Sequence, residues 1–251
     1  MLLRKLIRRG LMVLALLLVG PLATATGGAV NLDADWRTAS RESAGLAPDP
    51  ATTPEAIVQV YAARAFSWRG LFGVHSWIAT KRESAPAYTV YQVVGWRALH
   101  GQAALTVGTS IPDRKWYGNA PEVLADFRGG DTEAMIDAIS TAVAAYPYVG
   151  EYRLWPGPNS NTFTAFVGRR VPEIQLDLPV TAIGKDYLAN GGILASAPSG
   201  TGIQLSLLGM AGIILARREG VEINLLGLNF GFDFLRLALK LPGIGRIGMD
   251  G

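Results

Sequence analysis

Apolar residues divide the chain into three regions: an N-terminal run, a middle part with short alternating stretches, and an apolar C-terminal part. The middle part contains four runs rich in strand-forming residues, separated by turns that contain glycine or proline. These runs lie at residues 57–62, 72–78, 88–94 and, more weakly, 103–107. We therefore predict four β-strands in this part of the chain.

Two helices are predicted after these strands. Asp131 suits the N-cap of the first helix. Apolar residues then recur at helical spacing: Met135, Ile136, Ile139 and Val143. A second, short helix is predicted from Asn161 to about 167, where Gly168 ends it. Strands followed by helices predict an α+β domain over residues 55–172, preceded by a proline-containing linker at 31–54.

The C-terminal part, residues 173–251, is apolar and rich in glycine. No charged residue occurs from 203 to 216, and the stretches 221–228 and 230–241 are also mostly apolar. The glycines at 202, 209 and 212 and the Glu219-Gly220 pair favour hairpins or a meander over a helix. We predict a β-rich extension packed on the domain. Its apolar side chains have two alternatives, packing in a core or contact with a membrane surface.

Residues 1–30 have the order of an export signal: a basic start, an uncharged apolar run from Gly10 to about Ala25, and then small residues. Ala23-Thr24-Ala25 suits signal cleavage, whereas the leucine-rich start lengthens the run towards that of a retained membrane anchor. Both alternatives stay open. Because the positive charges precede the apolar run, the rest of the chain is predicted to face away from the cytoplasm. We therefore expect a protein of the cell envelope, either anchored in the inner membrane or periplasmic.

Charge and composition exclude several classes of function. The formal net charge is +3, but four of the 23 basic residues precede the apolar run, and the remaining 19 face 20 acidic residues. This balance argues against a nucleic-acid partner. The chain has no cysteine and two histidines, so disulfides and thiolate metal sites are excluded and a histidine metal centre is not expected. No metal and no cofactor are predicted.

Three stretches carry a resemblance to a known fold: VQVYAARA from Val58, VHSWIA from Val74, and YRLWPGPNSNTF from Tyr152. Their order resembles the permuted papain-like peptidase fold, in particular its PPPDE deubiquitinase-like and permuted NlpC-type groups. In those groups a histidine lies early, on a strand, and the cysteine lies late, in an Asn-Cys-Asn-x-Phe context at a helix start. Here His75 takes the place of the histidine and Ser160 that of the cysteine. The chain also resembles a bacterial domain-of-unknown-function family, number 3750, which implies no activity.

This resemblance implies a set of site residues. The catalytic residues would be Ser160 and His75, with Tyr91 or Gln92 orienting the histidine; alternation along the strand puts those two on opposite faces. The ligand-binding residues would be Asn159, Asn161, Trp155 and Trp77. A serine hydroxyl does not ionise as a thiol does, so Ser160 would need His75 as a base within hydrogen-bond reach. The structural alternative is that Asn159 or Ser160 caps the helix.

Three functions follow from these features. The first is an exported envelope protein whose papain-like domain is catalytically degenerate and binds a peptide-like or lipid-like ligand. The second is a serine-dependent amidase or esterase that uses Ser160 and His75. The third is a structural membrane protein in which the apolar C-terminal part carries the function.

Overall fold

The computed structural model describes residues 2–28 and 30–248 and contains helices and two antiparallel sheets. The predicted α+β class is therefore confirmed. The predicted segments 1–30 and 173–251 include residues 1, 29 and 249–251, which lie outside this description. The domain boundaries and the papain-like assignment stay predictions.

An apolar helix, α1, spans Leu2–Thr26 and contains Pro21 near its end. Within it, the 20 residues Ile7–Thr26 have a mean hydropathy of 1.7 and are long enough to cross a membrane. A signal sequence near an N-terminus meets the same criteria. The prediction of an apolar N-terminal helix is confirmed, and both of its alternatives stay open on these criteria.

Five strands form the first sheet: β1 (Ile57–Arg64), β2 (Val74–Lys81), β3 (Thr89–Val93), β4 (Leu105–Thr109) and β5 (Glu122–Arg128). Their spatial order is β4-β3-β2-β1-β5, and each neighbouring pair is antiparallel. The first four strands lie where the apolar runs predict them. The fifth was not predicted, because the charged residues of EVLADFR obscure its alternation; backbone pairing with β1 holds it in the sheet.

Three further helices are α2 (Gly95–Leu99), α3 (Thr132–Ala144) and α4 (Ser160–Arg170). Short 3₁₀ segments lie at Ser67–Leu71, Pro172–Ile174 and Ala189–Gly191. Helices α3 and α4 pack on one face of the first sheet. Ile139 of α3 and Phe163 of α4 are buried there with Val60 and Ile78 of the central strands. This face carries the main apolar core.

The opposite face of the first sheet carries a smaller aromatic cluster around Trp77. The segment 31–54 reaches this face, because Asp113 accepts hydrogen bonds from the hydroxyl of Ser43 and from the backbone amide of Leu46. These bonds are 2.8 and 2.6 Å long. The segment predicted as a linker is therefore attached to the domain by a buried carboxylate.

Seven strands form the second sheet: β6 (Leu194–Ser196), β7 (Gly202–Leu207), β8 (Ala211–Ala216), β9 (Gly220–Leu225), β10 (Leu228–Asp233), β11 (Ala238–Leu241) and β12 (Gly245–Ile247). Each strand pairs antiparallel with the next one along the chain. The result is the meander that the glycine-containing turns predict.

A layer of buried polar side chains joins the second sheet to the rest of the molecule. Glu222 on β9 pairs with Lys185, and its other oxygen lies 2.8 Å from the Nζ atom of Lys240 on β11. Lys240 also lies 3.1 Å from a carboxylate oxygen of Asp177. Burial alone would raise the pKa of Glu222, but the two ammonium groups lower it below its ordinary value. The other buried polar side chains on this side of the sheet are Gln204, Ser206, Asn224, Asn229 and Asp233.

Candidate functional site

The N-terminus of α4 is held by the first asparagine of the NSN stretch. Asn159 is the N-cap, and its side-chain oxygen accepts hydrogen bonds from the amides of Asn161 and Thr162, at 3.0 and 3.1 Å. Its side-chain nitrogen donates to the carbonyls of Leu154 and Ile183. Both donors and the oxygen of this side chain are therefore used within the fold.

Asn161 ties α4 to the central strand β2. Its side-chain nitrogen donates to the carbonyls of Val74 and Ile183, at 2.9 and 2.8 Å, and its oxygen accepts from the hydroxyl of Ser76 at 2.8 Å. Asn159 and Asn161 are both buried. These hydrogen bonds give both residues a structural role, and their ligand-binding role stays a prediction.

Ser160 lies between the two asparagines as the first residue of α4 and is 4% exposed. The capping residue is Asn159, so the structural alternative holds for the asparagine and not for the serine. Within the described part of the chain, the hydroxyl of Ser160 makes no hydrogen bond to another protein group. No base therefore orients this hydroxyl in the structure.

His75 lies on the face of the first sheet that is turned away from α4. Successive side chains of a strand point to opposite faces, and the neighbouring Ser76 contacts Asn161 of α4. His75 instead stacks on Trp116, with ring centroids 3.6 Å apart. The sheet lies between the imidazole and α4, so the pairing of Ser160 with His75 stays a prediction that this geometry does not support.

The structure does bring His75 and Gln92 together. The Nε2 atom of His75 lies 3.3 Å from Oε1 of Gln92. Tyr91 points to the other face, where its hydroxyl lies 3.4 Å from that of Ser140 in α3. Burial lowers the pKa of His75 to about 3, although the hydrogen bond to Gln92 opposes this shift. The ring is therefore neutral near physiological pH and sits in an aromatic stack.

Sequence reasoning missed Trp116, the residue that covers His75. The turn residues of segment 112–118 favour a surface loop, yet Asp113 within it is 1% exposed. The aromatic residue at 116 was the available signal, but its partner lies more than thirty residues away in sequence. Only the return of the chain over the sheet brings the two rings together.

The two tryptophans of the predicted site are also tied into the fold. Trp77 is 3% exposed, and its ring nitrogen donates to the carbonyl of Pro112 at 2.7 Å. Trp155 is 45% exposed, and its ring nitrogen donates to the carbonyl of Leu226 in the β9–β10 turn at 2.8 Å. Trp155 thus connects the loop before α4 to the second sheet. Ligand binding by either residue stays a prediction.

The second sheet has polar residues on its inner face and apolar residues on its outer face. In β7, Gln204 and Ser206 are buried, whereas Ile203, Leu205 and Leu207 are between 45% and 60% exposed. The same alternation of burial continues in β9 and β11. A solvated antiparallel sheet normally has the opposite order, with apolar residues inside. The outward residues therefore do not pack in a core within this chain.

The cross-strand register joins the outward residues into continuous apolar rows. One row crosses β7 to β12: Ile203, Leu215, Val221, Phe232, Leu239 and Ile247. A second row crosses β6 to β10: Leu194, Leu205, Ile213, Ile223 and Phe230. In the described strands β7–β12, no outward position holds a polar or charged residue. Strand spacing and length give this outer face an area of roughly 600 Å², at the upper end for exposed apolar patches of monomers.

The end of α1 packs against the β11–β12 turn of the same sheet. The hydroxyl of Thr24 donates to the carbonyl of Gly243 at 3.0 Å. Gly20 approaches so closely that a Cβ atom there would lie 1.8 Å from the carbonyl oxygen of Pro242. Arg64 of the first sheet donates to the same Gly243 carbonyl at 2.6 Å. The apolar helix and the sheet with the apolar outer face are thus joined at one point.

These features define an α+β protein with antiparallel sheets and an apolar N-terminal helix. Residues 55–187 match the family described as "Protein of unknown function (DUF3750)". The match covers more than half of the 251 residues, and the chain belongs to this family. No curated protein and no solved structure matches the chain.

Proposed function

We propose that this chain is an exported membrane protein of the cell envelope that is anchored by α1 and binds the lipid surface through the outer face of the second sheet. The observation that carries the proposal is the alternation of that sheet, with its polar residues towards the molecule and its apolar residues outwards. An exposed apolar face of this size needs a cover, because apolar surface in water is unfavourable.

The position of α1 favours lipid as the partner that binds the outer face of the second sheet. When α1 crosses a bilayer, the β11–β12 turn bound to its end lies at the membrane surface. In a meander, the β7–β8 and β9–β10 turns lie at the same end of the sheet, and they expose Leu208, Met210 and Leu226. Transfer of roughly 600 Å² of apolar surface at about 25 cal/mol per Å² gives on the order of 15 kcal/mol. This exceeds the marginal membrane affinity of a single acyl chain.

The proposal treats α1 as a retained anchor. Leu17 and Thr24 are 6% and 7% exposed, because the end of α1 is packed on the folded part of the chain. Cleavage at Ala23-Thr24-Ala25 would remove Leu17 and Gly20 and expose the Pro242 backbone that Gly20 covers. A segment removed after export has no need for such contacts.

In this proposal, the papain-like domain is a scaffold that catalyses no reaction. Helix α4 begins at the NSN stretch and packs on an antiparallel sheet, which supports the resemblance. The face that His75 occupies and the absence of cysteine favour a degenerate site. The lipid-like ligand of the first hypothesis then corresponds to the membrane itself.

Single cysteines test the proposal, because the chain has no cysteine of its own. Leu205→Cys and Leu207→Cys are labelled with an environment-sensitive fluorophore, and the full chain is reconstituted in phosphatidylcholine vesicles. We expect blue-shifted emission that nitroxides attached to the lipid chains quench. The matched control is Leu99→Cys in α2, which is 85% exposed beside the first sheet and should keep water-like, unquenched emission.

Two outcomes would reject the lipid contact. Water-like emission at both sheet positions would mean that the face is not in the bilayer. Blue-shifted emission without quenching, together with disulfide-linked dimers of the unlabelled variants, would assign the face to a second copy of the chain.

A further inference from the structure

A cavity of about 570 Å³ lies between the two sheets. Its walls are the ends of β1 and β5, the segment 177–181, and strands β11 and β12. The volume is within the range of about 300–1,000 Å³ that small-molecule sites occupy. Two acidic residues line it, Glu122 and Asp177. The basic residues that line it are Arg64, Arg218, Arg236, Lys240 and Arg246.

Three of these five cations already have partners in the protein. Lys240 pairs with Asp177 and with a carboxylate of the buried polar layer. Arg246 lies 2.9 Å from a carboxylate oxygen of Asp233. Arg64 donates to the backbone carbonyls of Gly70, Gly243 and Ile244. These contacts explain why the three side chains are held in place.

Arg218 and Arg236 are different. Across residues 2–28 and 30–248, neither guanidinium donates a hydrogen bond to a protein group, and the Nε atom of Arg218 is buried without a partner. The adjacent Glu219 instead accepts from the amide and hydroxyl of Ser199, at 2.9 and 2.5 Å. A buried, unsatisfied donor on a charged group is costly, so Arg218 requires an acceptor from outside the chain. Arg236 is partly exposed and lines the same cavity.

Asp233, the carboxylate nearest to Arg236 in sequence, also has hydrogen-bond partners within the protein. Asp233 accepts from the backbone amides of Leu235 and Arg236 through one oxygen, at 3.0 and 3.1 Å, and from Arg246 through the other. Its hydrogen bonds shape the β10–β11 turn and leave the Arg236 side chain directed to the cavity wall. The cavity thus contains two cations that the described residues do not pair with an acid.

We propose that this cavity binds a phosphate group through Arg218 and Arg236. A guanidinium presents its N–H groups in a planar fork that matches two phosphate oxygens. Arg218 comes from the β8–β9 turn and Arg236 from the β10–β11 turn, so two separate elements supply the donors. Bound phosphate would satisfy the buried Nε atom and balance the charge excess.

The phosphate can come from a phospholipid headgroup or from a soluble phosphate ester. The β10–β11 turn lies at the opposite end of the sheet from the β11–β12 turn, and an outer face lying flat on lipid brings both ends to the membrane surface. The β10–β11 turn then favours the headgroup, because Phe234, Leu235 and Leu237 are 61%, 66% and 62% exposed around Arg236. When apolar side chains enter lipid, an arginine among them keeps its guanidinium at the level of the headgroups. The headgroup source rests on the proposed membrane contact, whereas the phosphate site itself does not.

The first experiment measures the phosphate site without a membrane. Inorganic phosphate is titrated calorimetrically into the delipidated full chain in a neutral detergent. We expect saturable binding that Arg218→Gln and Arg236→Gln each weaken about 10- to 100-fold, the range for hydrogen bonds to charged groups. The control is Arg217→Gln, the same charge change at an exposed neighbour outside the cavity, which should keep the wild-type affinity.

Thermal unfolding without phosphate shows whether each variant is folded, and two independent arginines keep the test valid if one variant is unstable. Absence of saturable binding by the wild type overturns the proposal. Equal weakening in Arg217→Gln also overturns it, because binding would then depend on net charge alone.

The second experiment distinguishes the two sources. Binding of the full chain is compared between vesicles of phosphatidylcholine and vesicles that also contain phosphatidylglycerol. A preference for the anionic vesicles that Arg218→Gln and Arg236→Gln remove, while Arg217→Gln retains it, supports the headgroup. Phosphate binding in the first experiment without this preference supports a soluble ester at the same site. Phosphate binding with the sheet labels in water rejects the membrane contact and leaves the site intact.

Discussion

At the scale of single residues, the chemistry of His75 follows from its surroundings. The ring is 6% exposed and stacks on Trp116 and Trp77, with centroid distances of 3.6 and 5.6 Å. Among the residues that the structure describes, its one polar side-chain partner is Gln92, which is uncharged. Burial opposes protonation, so the imidazole serves the packing of this cluster in its neutral form.

This burial should make the free energy of unfolding sensitive to acid, and His75→Phe should reduce that sensitivity. The pKa of His75 is lowered from 6.5 to about 3, so the unfolded chain binds a proton that the folded chain does not. Stability from the neutral ring is complete above pH 6.5 and falls by about 1.4 kcal/mol per pH unit between 6.5 and about 3. Chemical unfolding in neutral detergent should show the wild type losing about 2 kcal/mol more than His75→Phe between pH 7 and 5.

The control for this prediction is His100→Phe, which removes the exposed C-cap residue of α2. Its pH profile should follow that of the wild type. Parallel profiles for the wild type and His75→Phe would show that His75 is protonated in the folded state and is not in the closed stack described above.

At the scale of elements, the end of α1 and the β11–β12 turn fit each other through two glycines. Gly243 has a φ of 70°, which suits a residue without a side chain, and Pro21 lies directly against it. Gly20 leaves space for the carbonyl of Pro242. This contact sets where the apolar helix leaves the folded part of the chain.

Gly20→Ala should therefore separate α1 from the sheet. The new Cβ atom would lie 1.8 Å from a backbone oxygen, so one element must move. We expect a loss of about 1–3 kcal/mol, typical of overpacking, and faster amide hydrogen exchange at residues 243–245. Gly10→Ala is the matched control, because nothing lies within 4 Å of a Cβ atom there. Unchanged exchange in Gly20→Ala would mean that α1 does not dock on this turn.

At the scale of the whole molecule, a charged layer holds the second sheet against the segment that follows α4. Glu222 accepts from Lys185 and Lys240, and Asp177 completes the charge balance with Lys240. All four side chains are buried or nearly so. Such groups are stable only as a set, because each charge depends on its partner.

Glu222→Gln should destabilise the whole chain. The change removes the carboxylate that both buried ammonium groups pair with directly, and removal of one partner from a buried ion pair costs about 3–5 kcal/mol. Circular dichroism during denaturant unfolding would measure the loss. Glu173→Gln, the same change at an exposed position, should stay within about 0.5 kcal/mol of the wild type. A loss below about 1 kcal/mol in Glu222→Gln would mean that water reaches this layer.

Much of the fold could be predicted from local patterns, and the candidate site could not. The first four strands follow from runs of strand-forming residues, and α4 follows from the NSN stretch and the apolar positions after it. The relation of Ser160 to His75 depends on which face of β2 the histidine takes. A shift of one residue in the strand reverses that face, and nothing local determines it.

The sequence by itself determined the period of each element: the uninterrupted apolar helix at the N-terminus and the strict alternation of IQLSL from Ile203 to Leu207. Alternation separates two faces but does not say which one is buried. The tertiary structure decided this, because Lys185, which lies far from that stretch in sequence, provides the buried partner for Glu222. The polar face of the sheet therefore turns inwards and the apolar face turns outwards, where we propose that it meets lipid.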